Sequence, residues 1–109
     1  MPAEGARYMW LFCFFDLPVG TKAQRKTATK FRKLLLGDGF NMLQLSVYVR
    51  VCRDQDGVDK HLARICKKLP RQGSVRTLAV TERQYARMKT LVGERQAHEK
   101  PAGDPLILP

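Results

Sequence analysis

The chain has 109 residues, room for one compact domain and not two, and 44% hydrophobic against 28% charged residues is a folded rather than a disordered composition. Lys and Arg number 20 against 10 Asp and Glu, and a formal charge of +10 on so small a protein points to a polyanionic partner, nucleic acid first. The longest apolar run, Met9 to Phe15, is too short to span a bilayer, and Asp16, Pro18 and Gly20 follow it where a signal peptide needs small residues. Neither membrane insertion nor secretion is expected. Cys13, Cys52 and Cys66 have no close pair and each lies in an apolar run, as buried free thiols in a reducing cytoplasm would. His61 and His98 stand at no zinc-finger spacing from them.

Residues 8–15 are aromatic-rich and continuously apolar, the pattern of a strand buried on both faces, and Pro18 ends it. Thr21 and Gln24 form a capping-box pattern for a helix that runs to about Leu36, with Ala28, Phe31, Leu34 and Leu35 on its inner face. From Leu43 to Val51 the period becomes two: Leu43, Leu45, Val47, Val49 and Val51 point one way, and Gln44, Ser46, Tyr48 and Arg50 the other. Asp56 is placed as N-cap of a second helix with Val58, Leu62, Ile65, Cys66 and Leu69 inward and Pro70 beyond its end. Ser74 to Thr81 reads as a strand, and Thr81 to Gln84 as a helical cap, with Met88 to Val92 finishing that helix or forming an edge strand.

This divides the chain into a core domain, residues 1–93, and a segment 94–109 made of a polar linker and an apolar end. Leu106, Ile107 and Leu108 are three consecutive large aliphatics, expected to dock as an added edge strand on this chain or on a partner. The element order predicts an α+β, ferredoxin-like βαββαβ sandwich with two helices on one face of an antiparallel sheet. The polar face of the long strand, with a bend expected near Phe40, would then meet water or a second subunit.

The charge is patterned. Lys22, Lys26, Lys30 and Lys33 recur every three or four residues, joined by Arg25 and Arg32, and only one acid, Asp16, lies between Glu4 and Asp38. The second helix carries Lys60, Arg64, Lys67 and Lys68, continued by Arg71 and Arg76, and no acid occurs from Lys60 to Thr81. Like charges stacked at helical spacing forgo pair energy, which argues for an external anion; with no aromatics interleaved, the pattern suits phosphates rather than bases. Lys22, Arg25, Lys26, Lys30, Lys33, Arg64 and Lys68 are the candidate phosphate contacts. Asp16 directly follows the buried strand, where a carboxylate must be solvated, paired or metal-bound. Two readings stand side by side: a turn Asp accepting hydrogen bonds from the Pro18-Val19-Gly20 loop, or a magnesium ligand completed by phosphate or by a second Asp16 across a two-fold axis.

Phe14-Phe15-Asp16-Leu17-Pro18, the basic helix, Gly39-Phe40, Gln44-Leu45-Ser46-Val47-Tyr48 and Thr81-Glu82-Arg83-Gln84-Tyr85, in this order over about residues 8–93, resemble the small CRISPR-associated protein of the adaptation module, the Cas-two family. The Pro-Leu-Ile-Leu end is similar to that of the version in systems with a single large effector nuclease. The resemblance implies a homodimer with facing sheets and with Gln44, Ser46 and Tyr48 toward the interface. It implies a partner integrase, Cas-one, whose two dimers are bridged across a bound double-stranded DNA prespacer. It also implies a strand-end aspartate, matched by Asp16, for which Mg²⁺-dependent cleavage of RNA or DNA is proposed, the ion being shared across the dimer axis. Adaptor function is the expectation; a stand-alone metal-dependent nuclease and a plain nucleic-acid-binding module are its rivals.

Overall fold

The computed structural model describes residues 8–93. Its elements are β1 (Met9–Asp16), α1 (Lys22–Gly37), β2 (Asn41–Gln44), β3 (Val47–Cys52), α2 (Gln55–Cys66), β4 (Ser74–Thr81) and α3 (Glu82–Ala86). The four strands form one antiparallel sheet in the order β2-β3-β1-β4, the ferredoxin-like arrangement. Among the described residues no helix is long and apolar enough to cross a membrane. The apolar end with Leu106, Ile107 and Leu108 lies outside the described residues.

β1 is an inner strand because both of its faces are apolar. Leu11, Cys13 and Phe15 enter the helix-side core with Phe31 and Leu35 of α1, Val58 and Ile65 of α2, and Phe40, Tyr48 and Cys52. Trp10 and Phe12 point to the other side, where they cluster with Val49 and with Tyr85 of α3. Tyr85 stacks on Trp10 with ring centroids 3.9 Å apart and planes 6° from parallel, and the indole N–H of Trp10 donates to Glu82. Burial pushes the Cys13 thiol up to about 11 and raises that of Cys52, so both stay neutral and act as small hydrophobes.

The capping boxes form where their residues stand. The Gln24 amide donates to Thr21 Oγ1 at 3.1 Å and Gln24 Oε1 accepts from the Thr21 amide at 3.0 Å, and Thr81 with Gln84 repeats the device at α3.

Five expectations need correction. The long strand is two strands: a turn at Leu45 and Ser46, with Ser46 in the left-handed region at φ 66°, separates β2 from β3, whose register is already irregular between Met42 and Gln44. The bend therefore sits beyond Phe40, at Leu45. The faces of β3 are also exchanged: Tyr48 is 3% exposed in the helix-side core, its ring 5.5 Å from that of Phe15, while Val49 sits on the opposite side. Both faces of this sheet bury apolar groups, so polarity does not distinguish them, and Tyr48 is not at a polar face. Asp54, extended at φ −163°, is the N-cap of α2 and its Oδ1 accepts from the Gly57 amide at 2.9 Å; Asp56 lies inside the first turn. Finally, α2 ends at Cys66, which is exposed as is Leu69, and residues 88–92 are neither helix nor strand.

Candidate nucleic-acid interface

The exposed lysines of α1 continue along the side of the helix away from its buried line Ala28, Phe31 and Leu35. Lys30 and Lys33 meet Lys68 and Arg71, from the segment after α2, around a groove of about 940 Å³ floored by Leu17, Phe31, Leu34 and Pro70. Among the described residues no acidic side chain lines it. Lys22 and Lys26 extend the same positive stripe toward the N-terminus of α1 by their helical spacing. The fold thus joins the cations of two separate stretches of sequence into one surface.

Two of the seven candidate cations have other duties. Arg25 Nη1 donates to the Val19 carbonyl at 3.1 Å and holds the loop before α1. Arg64 Nη1 donates to Asp38 Oδ1 at 2.6 Å, and His61 Nδ1 lies 2.7 Å from Asp38 Oδ2. Arg50, from β3, donates to the Asp38 backbone carbonyl. Asp38 is the C-cap of α1, and this cluster pins the end of α1 to α2 and β3. Burial would raise its carboxyl, but hydrogen bonds from His61 and Arg64 and their nearby charges outweigh this and hold it below its ordinary value. Sequence reasoning misses the cluster; the only signal is His61 and Arg64 three apart on one helix.

Asp16 ends β1 opposite Ser74, the first residue of β4, and is exposed. Gly73 stands at φ +90°, and a Cβ there would lie 2.5 Å from the Asp16 carbonyl oxygen, so the close approach of β4 to the end of β1 requires glycine. Among the described residues no hydrogen bond or ion pair engages the Asp16 carboxylate, including none from the Val19 or Gly20 amides. No group of three or more His, Cys, Asp or Glu side chains that could hold a metal occurs among them either. One chain offers one carboxylate, which fits Mg²⁺ only as part of a set with phosphate oxygens or a second subunit's carboxylate.

The sheet face opposite α1 and α2 is built in rows by the strand register. Val51, Trp10 and Val80 form one row, Val49, Phe12 and Leu78 the next, then Val47, Phe14 and Arg76, with Asp16 and Ser74 last. α3 covers Trp10 and Phe12, while Phe14, Val51 and Leu78 remain 37%, 43% and 54% exposed. Gln44 and Ser46 are exposed on the β2–β3 side.

A four-stranded sheet in the order β2-β3-β1-β4 with a cationic helical side and an apolar open side defines a small basic α+β protein of ferredoxin-like fold. Residues 9–88 match the family described as CRISPR associated protein Cas2, and the chain belongs to that family. A protein of Acidovorax ebreus is 50% identical over 92 residues, covering 84% of this chain and 90% of its own length. One of Paracidovorax avenae is 43% identical over 100 residues, 92% and 93% of the two chains, and one of Flavobacterium psychrophilum 38% over 97 residues, 88% and 84%. All three are named CRISPR-associated endoribonuclease Cas2.

Proposed function

We propose that the chain is an adaptor of CRISPR spacer acquisition. Two copies close through their open sheet faces, the α1 and α2 cations hold a prespacer duplex by its phosphates, and the dimer sets the separation of two Cas-one integrase dimers. The observation that carries this is the convergence of Lys30, Lys33, Lys68 and Arg71 on one groove that no acid among the described residues lines, on the side of the molecule away from the apolar open face. Among the described residues the outer edges of β2 and β4 pair with no further strand, which leaves an edge for an added strand.

The experiment is spacer integration reconstituted with the cognate integrase. Neutralising Lys22, Lys26, Lys30 and Lys33 together should weaken duplex binding and lower the slope of log affinity against log salt by about 0.9 for each phosphate no longer neutralised. Unchanged affinity in this variant would overturn the adaptor reading. Asp16→Ala should integrate as well as the parent.

A second reading is favoured by Asp16 itself, exposed and without a partner among the described residues, and by the activity in the relatives' names. This is metal-dependent cleavage of RNA, in which Asp16 and a dyad-related Asp16, with phosphate oxygens, would hold Mg²⁺. Such an ion supplies a Lewis acid for the phosphate and an activated water. Loss of integration in an Asp16→Ala variant that still folds, dimerises and binds the integrase would shift the weight to this reading.

A further inference from the structure

The groove between α1 and the segment after α2 holds two chemistries, and a duplex uses only one of them. Its rim is cationic, with Lys30 and Lys33 on one wall and Lys68 and Arg71 on the other, all exposed. Its floor is apolar: beside Leu17, Phe31, Leu34 and Pro70 lies Leu69, 48% exposed and outside the helix-side core. The floor is fixed from beneath, because the Phe31 ring meets that of Phe15 edge-on with centroids 5.3 Å apart. The walls are tied to each other where Gln24 Nε2 donates to Gln72 Oε1 at 3.2 Å. The groove is therefore preformed, and an occupant loses little free energy in ordering it. A nucleic-acid backbone engages the rim through its phosphates, but a phosphate pressed on Leu34 or Leu69 loses water and gains no hydrogen bond.

We propose that the groove also docks an acidic amphipathic helix of a protein partner, and that this helix and the duplex exclude each other. This rests on the reading that the same cations hold the duplex. An amphipathic helix carries aliphatic side chains at i, i+3 or i+4 and i+7 along one face, and its flanking positions are free for Asp and Glu. That pattern complements an apolar floor between two cationic walls. A basic helix is repelled there, since among the described residues no acid lines the groove to offset Lys30, Lys33, Lys68 and Arg71. The partner's carboxylates and the duplex phosphates compete for these four cations. Docking of the partner thus releases the duplex from this surface, and bound duplex weakens docking by the same factor.

The test uses the full chain and a labelled synthetic helix of about four turns, with Leu at the i, i+3, i+4 and i+7 positions and Glu along both flanks. The control peptide has the same composition shuffled to leave no apolar face. Anisotropy should show the helix bound about tenfold more tightly than the control. Leu69→Ser removes a floor contact and leaves every cation, so it should weaken the helix about tenfold and keep duplex affinity within about twofold of the parent. Lys22→Ala combined with Lys26→Ala should do the reverse, because neither residue lines the groove. Saturating helix should displace a labelled duplex. Equal binding of helix and control, simultaneous binding of helix and duplex, or full helix affinity in Leu69→Ser would each overturn the proposal. Displacement of the helix at comparable affinity by a peptide of residues 94–109 would overturn it too, by making this chain's own segment the occupant. So would a weaker dimer in Leu69→Ser, which would make the groove an interface between copies. If the parent binds the helix through Leu69 but binds no duplex, the adaptor reading falls and the docking site stands. If it binds duplex but not the helix, the reverse holds.

Discussion

Asp38 closes α1 with a negative charge at the end of the helix where the macrodipole is itself negative, an arrangement that costs stability unless cations answer it. Arg64, His61 and Arg50 supply that answer from two other elements. The Asp38 side chain is only 12% exposed, so the cluster works with little solvent screening on its acidic side, whereas Arg64 is 61% exposed and contributes correspondingly less. Because the carboxyl is held below its ordinary value of 3.8, folding favours the carboxylate. The stability it adds is complete above 3.8 and is lost as pH falls through the lowered folded value. Thermal melts followed from neutral pH into this acid range should therefore fall less steeply for Asp38→Asn than for the parent, and Asp38→Ala at neutral pH should cost about 1–3 kcal/mol through the donors it orphans. Parallel curves for parent and Asp38→Asn would show the cluster to be energetically idle. No local pattern announces this group: Asp38 precedes His61 by 23 residues, and only the packing of α1 on α2 joins them.

At the scale of elements, what is legible in the sequence is what is coded locally. The Thr21 and Gln24 box and the Thr81 and Gln84 box form where residue type and spacing place them, because each satisfies its backbone groups within a few residues, and the strand Ser74–Thr81 also forms where its residue types place it although its ladder partner is the distant β1. Thr21→Ala should cost about 1 kcal/mol, seen as a lower urea midpoint at unchanged slope, since it removes the acceptor of the Gln24 amide at the start of a 16-residue helix. The Leu43 to Val51 alternation misleads for a non-local reason. Ser46 carries the turn at φ 66° while its carbonyl accepts from the Phe15 amide at 3.0 Å, so β1 helps to fix the break, and no feature of Ser46 itself announces it. A sheet buried on both faces also removes the polarity cue that would tell which side Tyr48 takes. The candidate site is legible in parts: Asp16 and the lysines by type and spacing, their shared groove and the rows of the open sheet face only through packing and register.

For the molecule as a whole, the two sides of the sheet have opposite needs. The side under α1 and α2 is closed and carries the cations outward. The open side exposes Phe14, Val51 and Leu78 in neighbouring rows, with α3 covering only the end near Trp10. Burial of apolar surface stabilises by about 25 cal/mol for each Å², so a second copy laid on these rows gains most where exposure is greatest, at the 54% exposed Leu78 in the middle of the file. A two-fold dimer places the same patch on both partners, so one substitution acts twice. Under the proposed dimerisation, Leu78→Asp should leave a monomer by size-exclusion chromatography with light scattering where the parent runs as a dimer, while circular dichroism keeps the parent's helix signal, because Leu78 contributes nothing to the helix-side core. On the adaptor proposal the same variant should also lose integration even though its lysines are intact, since one subunit would not hold two integrase dimers apart. A Leu78→Asp chain that remains dimeric would place the subunit interface elsewhere, and would remove the proposed dyad on which the pairing of two Asp16 carboxylates depends.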